Sequence, residues 1–334
     1  MSAAQGRGAA PAISGPQNIA PASPIVATQT RAALQEIAAA RRARRVSVSS
    51  DIDHAAPVAA PKVMVFIPAY RCAAQIGRVI AQLNGRGGDL ACVERLVVVD
   101  NQSPDDTIAV AQASLDALDG AFRKIILRNF ANYGLGGSHK VAFRHARDAG
   151  VDFLVVLHGD DQADINDLIV HLKSGRAFAG DCFLGSRFER GARRDGYSAL
   201  RTFGNIVYNL MFSVVAGGWI TDLGSGLNLY RVSKLDIDQI DRFPDDLTFN
   251  YVMLLWSMYR RHAVGFFPIT WREEDQRSNV KLFQQGVRVL GLLFNRARGG
   301  EAFFLADHRQ SGARDYSAEK VYESPPPPAH GVVT

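Results

Sequence analysis

Residues 153–164 read FLVVLHGDDQAD, five apolar residues followed, after His158 and Gly159, by three carboxylates and a glutamine within five positions. An unbroken apolar run of this length fits a strand buried on both faces, as in a parallel sheet. The polar end has two readings. Gly and Asp are ordinary turn residues, so a turn with solvated acids is one of them. The other is a divalent-cation site. Hard cations take carboxylate and amide oxygens, and Asp160, Gln162 and Asp164 alternate along the chain, which in an extended segment turns them to one side.

Similar apolar runs flank this stretch: VMVFI at 63–67, LVVV at 96–99, KIIL at 124–127 and CFLG at 182–185. Segments of helical spacing, AAQIGRVIAQLN, DTIAVAQASLDAL and GGSHKVAFRHARDAG, separate the four runs from VMVFI to FLVVL. Strands about thirty residues apart with a helix between them are βαβ units, so the fold class is α/β with a mostly parallel central sheet. In such sheets ligands bind beyond the carboxyl ends of the strands. Polar clusters fall there in each case: Pro68–Arg71, Asp100–Thr107, Asn132–Gly137 and HGDDQ. The first turn reads IPAYRCAAQ and has no GxGxxG, which disfavours a dinucleotide-dependent hydride transfer.

The ends of the chain differ in composition. Residues 1–60 are rich in Ala, Pro, Ser and Gly and hold one basic segment of helical spacing, TRAALQEIAAARRARR, which predicts a disordered arm with a helical stretch. A single domain is expected over 61–281, an amphipathic helix over 282–310 and a disordered tail over 311–334, where Pro325–Pro328 lie. The formal net charge of +5 is modest, with four arginines of the arm forming much of the local excess, so nucleic acid is not an expected partner. Cys72, Cys92 and Cys182 form no CxxC pair and suggest neither a zinc site nor a disulfide framework. With no signal peptide and no clear membrane span, a cytoplasmic protein is expected, peripheral on the cytoplasmic membrane face if its helices bind there. The most apolar long stretch, FGNIVYNLMFSVVAGGWI at 203–220, suits a buried or interfacial helix.

Seven motifs in order, IPAY (67–70), VVVDNQSPDDT (97–107), NYGLGG (132–137), LHGDDQAD (157–164), GSRF (185–188), DLGSGLNLYR (222–231) and REEDQRSNVK (272–281), resemble the inverting family 2 glycosyltransferases of GT-A fold. Among these the chain is similar to the polyprenyl-phosphate, dolichyl-phosphate mannose synthase-like transferases. The resemblance runs from about Lys62 to Lys281. It implies transfer of a hexose from a nucleotide-diphosphate sugar to a polyprenyl phosphate or another glycan acceptor, with Mg²⁺ or Mn²⁺ as cofactor and a membrane surface as a possible meeting place. It puts Pro68, Tyr70 and Asp100 beside the nucleotide, with Gly134 and Gly136 near the donor. It matches Asp160 and Gln162 to metal-binding positions. Arg187, Arg201 and Asn205 become candidates for acceptor or phosphate binding, joined by Arg277 and Lys281; Asp160, Arg187 and Arg201 are the catalytic candidates. Asp222, Ser225 and Gly226 fall in an acceptor-side turn, or in a purely structural one.

Two departures from the pattern stand out. His158 replaces the first aspartate of the metal motif, and it reads either as a ligand better suited to manganese or as a group hydrogen-bonded to a ligand. Cys72 replaces a glutamate that often follows IPAYN in the family. A phosphate acceptor is already anionic and needs no base, whereas a hydroxyl acceptor does, and Asp245 or Asp246 of FPDDLTFN is the candidate for that role or for a helix cap. A noncatalytic nucleotide-sugar-binding protein at anionic membranes is the reading from another class. Finally, Val287, Leu290 and Phe294, with Leu282 and Phe283, lie near helical spacing beside Lys281, Arg288, Arg296 and Arg298. This helix would either pack on the core or lie in a membrane interface.

Overall fold

Strand β1 (Val63–Ala69) is buried along its whole length, and its pleat explains why the sequence shows no alternation. Met64 and Phe66 point into one hydrophobic core, while Val63, Val65, Ile67 and Ala69 point into another on the opposite face. The computed structural model describes residues 60–273, 282–310, 312 and 314–325. The basic arm, Arg277 and Lys281 lie outside the described residues.

The chain continues through helix α1 (Ile76–Ala81), β2 (Val93–Asp100), α2 (Thr107–Ala117), β3 (Arg123–Asn129), α3 (Gly134–Asp148) and β4 (Phe153–Leu157). These strands stand in the order β3-β2-β1-β4 and all neighbours are parallel. β4 therefore returns to the far side of β1. The loops after β1 and β4 leave in different directions, opening a crevice where α/β sheets bind ligands.

Beyond β4 come α4 (Asn166–Lys173), β5 (Cys182–Ser186), a short β6 (Arg193–Asp195), α5 (Ala199–Ala216) and β7 (Leu227–Arg231). Helix α6 (Phe249–Tyr259), β8 (Val264–Pro268), β9 (Thr270–Arg272), α7 (Leu282–Gly299) and β10 (Ala318–Glu323) follow, with single-turn helices at Ile237–Ile240 and Ala302–Leu305. The main sheet has eight strands, β10-β3-β2-β1-β4-β7-β5-β8, and β6 pairs with β9 in a separate two-stranded ribbon. β7 is antiparallel to both β4 and β5, while β5 and β8 are parallel. The sheet is thus mostly parallel, as the apolar runs imply, with a reversed strand inserted next to β4.

The expectation of a disordered tail over 311–334 is corrected by β10. It adds antiparallel to β3, pairing Lys320 with Leu127, and Tyr316 just before it is buried. An edge strand has little to bury, so AEKVYE carries hardly any hydrophobic signal. Helix α5 starts at Ser198, whose Oγ accepts the Arg201 amide at 3.2 Å, and ends at Gly217 with φ +66°. A cap of this kind contributes about 1 kcal/mol. The helix is two-sided: Asn209 and Ser213 are buried, with Asn209 Nδ2 donating to the Thr221 carbonyl at 2.6 Å, while Phe203, Leu210 and Val214 face outward. Helix α7 is two-sided as well. Val289 and Leu293 join the core, and Val287, Leu290 and Phe294 remain exposed. Among the described residues no helix is long and apolar enough to cross a membrane.

Candidate active site

The crevice between the ends of β1 and β4 is a cleft of about 400 Å³. Pro68, Tyr70, His158 and Asp160 line one part of it; Asn101, Asn132, Gly134, Asp246 and Leu247 line others. The loops after β1, β2 and β4 each contain a non-glycine residue with positive φ: Arg71 at 52°, Gln102 at 61° and Asp161 at 60°. Such conformations are costly and persist where the surrounding contacts hold them, so this rim is a built feature. Arg71 is held by its amide on Ser103 Oγ (3.1 Å), and Gln102 by its Nε2 on the Asn129 carbonyl (2.5 Å).

The φ of Asp161 also overturns the expected alternation of ligands. A left-handed residue breaks the extended run, so positions 160, 162 and 164 do not share one side. Asp160 stays in the cleft, and burial pushes its carboxyl up to about 6, partly offset by the Gln162 amide at 3.3 Å. Asp161 turns away to accept from Arg78 Nε (2.7 Å) and Gln82 Nε2 (2.9 Å). Asp164 accepts from the Asn166 amide and side chain and pairs with Arg272 at 3.4 Å. Gln162 contributes its carbonyl to the Arg272 amide. Among the described residues, no three of His, Cys, Asp and Glu converge on one point. A cation here would therefore depend on Asp160 and on oxygens from a ligand.

His158 lies on the cleft wall, its ring packed against the α-carbon of Gly226. A Cβ on that glycine would come within 2.8 Å of the imidazole, and Gly226 has φ +71°. The His158 amide donates to the Gly226 carbonyl at 2.9 Å, and its Nε2 is buried without a hydrogen-bond partner. Burial pulls its pKa down to about 4, so the ring is neutral at neutral pH. An uncharged imidazole with an unused nitrogen beside a buried carboxylate is a donor set that fits a divalent cation. His139 stands behind it with ring centroids 6.1 Å apart, its Nδ1 donating to the Leu135 carbonyl at 2.8 Å.

The nucleotide candidates fare differently. Pro68 and the exposed Tyr70 line the cleft. Asp100 does not: it is fully buried, accepting the Ser103 amide and lying 3.9 Å from Arg128. Asn101 and Asn132 hold the place instead, linked to each other through Asn101 Nδ2 at 2.9 Å. Asn101 Oδ1 also accepts from the Tyr133 amide and Asn129 Nδ2. These asparagines, with Leu247, are functional candidates that the sequence reading missed. Both asparagines lay within quoted motifs, but only folding brings them together. Gly134 and Gly136 have a reason in the protein itself: a Cβ on either would lie 2.3 Å from a backbone oxygen, of Asp245 and Pro244 respectively. Cys72 lines the cleft as a thiol, pushed up to about 12 chiefly by burial.

A second cavity, of about 580 Å³, has Arg187, Arg190 and Arg194 along it together with Ile206, Leu210 and Trp219. The expected free phosphate clamp at Arg187 is corrected by its contacts. Its Nε and Nη2 form a bidentate pair with Asp222 at 2.8 and 2.7 Å, and Nη2 also donates to the Gly224 carbonyl. Burial opposes its charge, but Asp222 more than offsets this and raises its pKa. Nη1 retains only a long contact to Tyr197 Oη at 3.5 Å. Arg201 pairs with Glu273, and Asn205 Nδ2 donates to Tyr197 Oη at 2.7 Å. Arg187, Arg201 and Asn205 thus gather around Tyr197. The turn from Asp222 to Gly226 runs from Arg187 at this cavity to His158 in the cleft. Of the two base candidates, Asp245 is locked in a buried ion pair with Lys140 at 2.7 Å, and only Asp246 lines the cleft.

Comparison with known proteins bears on the family and the fold. The sequence profile of Glycosyl transferase family 2 matches residues 64–237. The UDP-N-acetylglucosamine–dolichyl-phosphate N-acetylglucosaminyltransferase of Methanococcus voltae is 22% identical over 184 residues, covering 52% of this chain and 71% of its own. An uncharacterized protein of Methanocaldococcus jannaschii is 24% identical over 195 residues, covering 58% and 75%. Among solved structures, glucosyl-3-phosphoglycerate synthase from Mycobacterium tuberculosis, in complex with Mn²⁺, UDP-glucose and phosphoglyceric acid, superposes with a TM-score of 0.51 at 16% identity, covering 80% of this chain and 90% of that one. The profile spans more than half the chain and the fold is that of GT-A enzymes, so this protein belongs to glycosyl transferase family 2 and is a glycosyltransferase.

Proposed function

We propose that the protein transfers a hexose from a nucleotide-diphosphate sugar to a polyprenyl phosphate, with inversion and with help from a divalent cation. The cavity beside the donor cleft carries this reading. It joins two arginines, Arg190 and Arg194, with Arg187 already paired to Asp222, to an apolar wall, Ile206, Leu210 and Trp219, which matches the two chemistries of a lipid phosphate. The apolar wall continues into the outward faces of α5 and α7, where Phe203 is 67%, Val214 75% and Phe294 59% exposed. Several large apolar side chains exposed on adjacent helices are a feature of surfaces that meet something else. The M. voltae relative, named for a dolichyl-phosphate acceptor, is consistent with that choice.

On this reading the sugar donor lies in the cleft with its base near Pro68, Tyr70, Asn101 and Asn132. Asp160, with the His158 imidazole as the other candidate donor on the cleft wall and oxygens from the bound donor, would hold Mg²⁺ or Mn²⁺. When bound, the cation supplies positive charge to the departing diphosphate. The protein's own residues do the remaining work. Arg190 and Arg194 hold the acceptor phosphate, the Arg187–Asp222 pair anchors the Asp222–Gly226 turn that links the cavity to the cleft, and the buried walls exclude water. The phosphate attacks as an anion, so no base is required. A second reading, a hydroxyl acceptor, needs a base, and Asp246 is the candidate that lines the cleft, though as a weak base. Its pKa lies below the ordinary carboxylate range: burial acts to raise it, and the hydrogen bonds from Thr248 and Gln310 with the charge of Arg288 outweigh that.

The test is to incubate the protein with a panel of nucleotide sugars, Mn²⁺ or Mg²⁺, and a short polyprenyl phosphate, and to look for the glycosylated lipid by mass spectrometry. Transfer to the lipid phosphate supports the proposal. Transfer only to phosphoglyceric acid or sugar hydroxyls would replace it with the second reading.

A further inference from the structure

Lys140 is fully buried, yet its sequence setting, GGSHKVAF on α3, looks like an ordinary amphipathic helix. Its ammonium makes three hydrogen bonds: to the Phe243 carbonyl at 2.6 Å, Asp245 Oδ1 at 2.7 Å and Tyr316 Oη at 3.0 Å. Tyr316 Oη in turn donates to Asp245 Oδ1 at 2.7 Å. Burial lowers the lysine pKa while Asp245 opposes the fall. Such a pair is seldom retained for stability alone, since apolar residues of equal volume pack as well or better.

The network joins three segments that are remote in sequence, and two of them wall the donor cleft. Asp245 precedes Asp246 and Leu247, and its carbonyl accepts the Gly136 amide at 2.7 Å, bringing the 244–247 loop onto the start of α3. The third segment is the one leading into β10. Arg314 Nη1 donates to the Asn132 carbonyl at 3.3 Å, Tyr133 Oη donates to the Asp315 carbonyl at 3.2 Å, and the Tyr133 and Tyr316 rings pack edge-on at 5.6 Å. Arg144 donates to the Tyr316 carbonyl at 3.1 Å, and the Phe130 amide to the Ser317 carbonyl at 3.3 Å. Residues 314–317 thus cross the outside of both cleft walls and tie each to β10.

We infer that Lys140 and Tyr316 are positioning residues for the donor cleft: with Asp245 they clamp the 132–137 and 244–247 loops in register so that Asn132, Gly134 and Leu247 present one rigid surface to the nucleotide. This rests on the donor reading for its functional half, while its mechanical half stands alone. A strap that merely protected a sheet edge would not need a buried ammonium reaching into the loop of the opposite wall.

The test uses the full chain and two readouts. Tyr316→Phe removes one hydroxyl from the network. Lys140→Met with Asp245→Leu removes both charges, so no unpaired ion is buried; Lys140→Met alone risks unfolding. Binding of UDP, GDP, ADP, CDP and dTDP with Mn²⁺ is measured by calorimetry, and backbone amide hydrogen exchange by mass spectrometry. In folded Tyr316→Phe the tightest diphosphate is expected to bind about tenfold more weakly, with KM for the donor rising and kcat changing less. Exchange over 132–137 and 244–248 should accelerate while β4 stays protected. Unchanged exchange and unchanged affinity in both folded variants would overturn the inference. If the wild type binds none of the five diphosphates, the donor reading fails, and the exchange result alone decides whether the clamp exists.

Discussion

His158 lies on the cleft wall and His139 is buried behind it, and the two do different work. His139 sits among Phe66, Phe143 and Phe249, and burial, with a smaller contribution from His158, pulls its pKa down to about 3. Its ordinary value is 6.5. A folded-state pKa below the unfolded one means that stability is fully present above about pH 6.5 and is lost as pH falls toward 3. His139→Phe is therefore expected to show a shallower fall in thermal midpoint between pH 7 and pH 4 than the wild type; parallel curves would contradict this. His158, with its unpartnered Nε2, is the residue through which cation choice can be read. His158→Asp should move the ratio of Mg²⁺ to Mn²⁺ activity toward Mg²⁺, because a carboxylate suits the harder ion better. An unchanged ratio would show that residue 158 does not sense the cation. At this scale the sequence was informative about residue types and less so about partners. Asp160 could be picked out from its motif, whereas the commitment of Arg187 to Asp222 joins positions 35 residues apart and depends on burial that a linear pattern does not express.

The elements whose burial is two-sided were the easiest to read. β1 and β4 are apolar without interruption because both faces of the sheet are covered, and the helices between the strands show the expected spacing. β7 was hidden inside DLGSGLNLYR, where the glycines just before it and its own asparagine resemble a loop, and β10 was hidden because an edge strand buries little. Gly136 illustrates how an element's packing sets its sequence. Its missing side chain lets the start of α3 meet the Pro244 carbonyl and the Phe249 side chain, so Gly136→Val should push the 244–247 loop away. We expect that substitution to lower the melting midpoint by several degrees, corresponding to about 1–3 kcal/mol from overpacking, and to weaken nucleotide binding. A variant with wild-type stability and affinity would mean that the loop is free to move aside.

For the molecule as a whole, the placement of apolar surface is the least expected feature. α5 and α7 pack together, each burying one face and exposing the other, so α7 packs on the core while an apolar face of it stays open. Arg298 lies over the Phe294 ring, while Arg288 pairs with Asp246 at the cleft. Changing Val287, Leu290 and Phe294 together to Ser is expected to reduce co-sedimentation with anionic liposomes severalfold without unfolding the chain, since Val289 and Leu293 are the residues that hold the helix to the core. Equal binding by the variant, or no binding by the wild type, would remove the membrane from the account and favour an acceptor in solution. The central claim, that the end of β4 is where donor and cation meet, is tested most directly at Asp160. With the nucleotide sugar that the wild type consumes, Asp160→Asn should lose at least about a thousandfold in kcat, several kcal/mol of transition-state stabilisation, while its circular dichroism stays that of the wild type. Near-normal turnover with an unchanged dependence on divalent cation would contradict it.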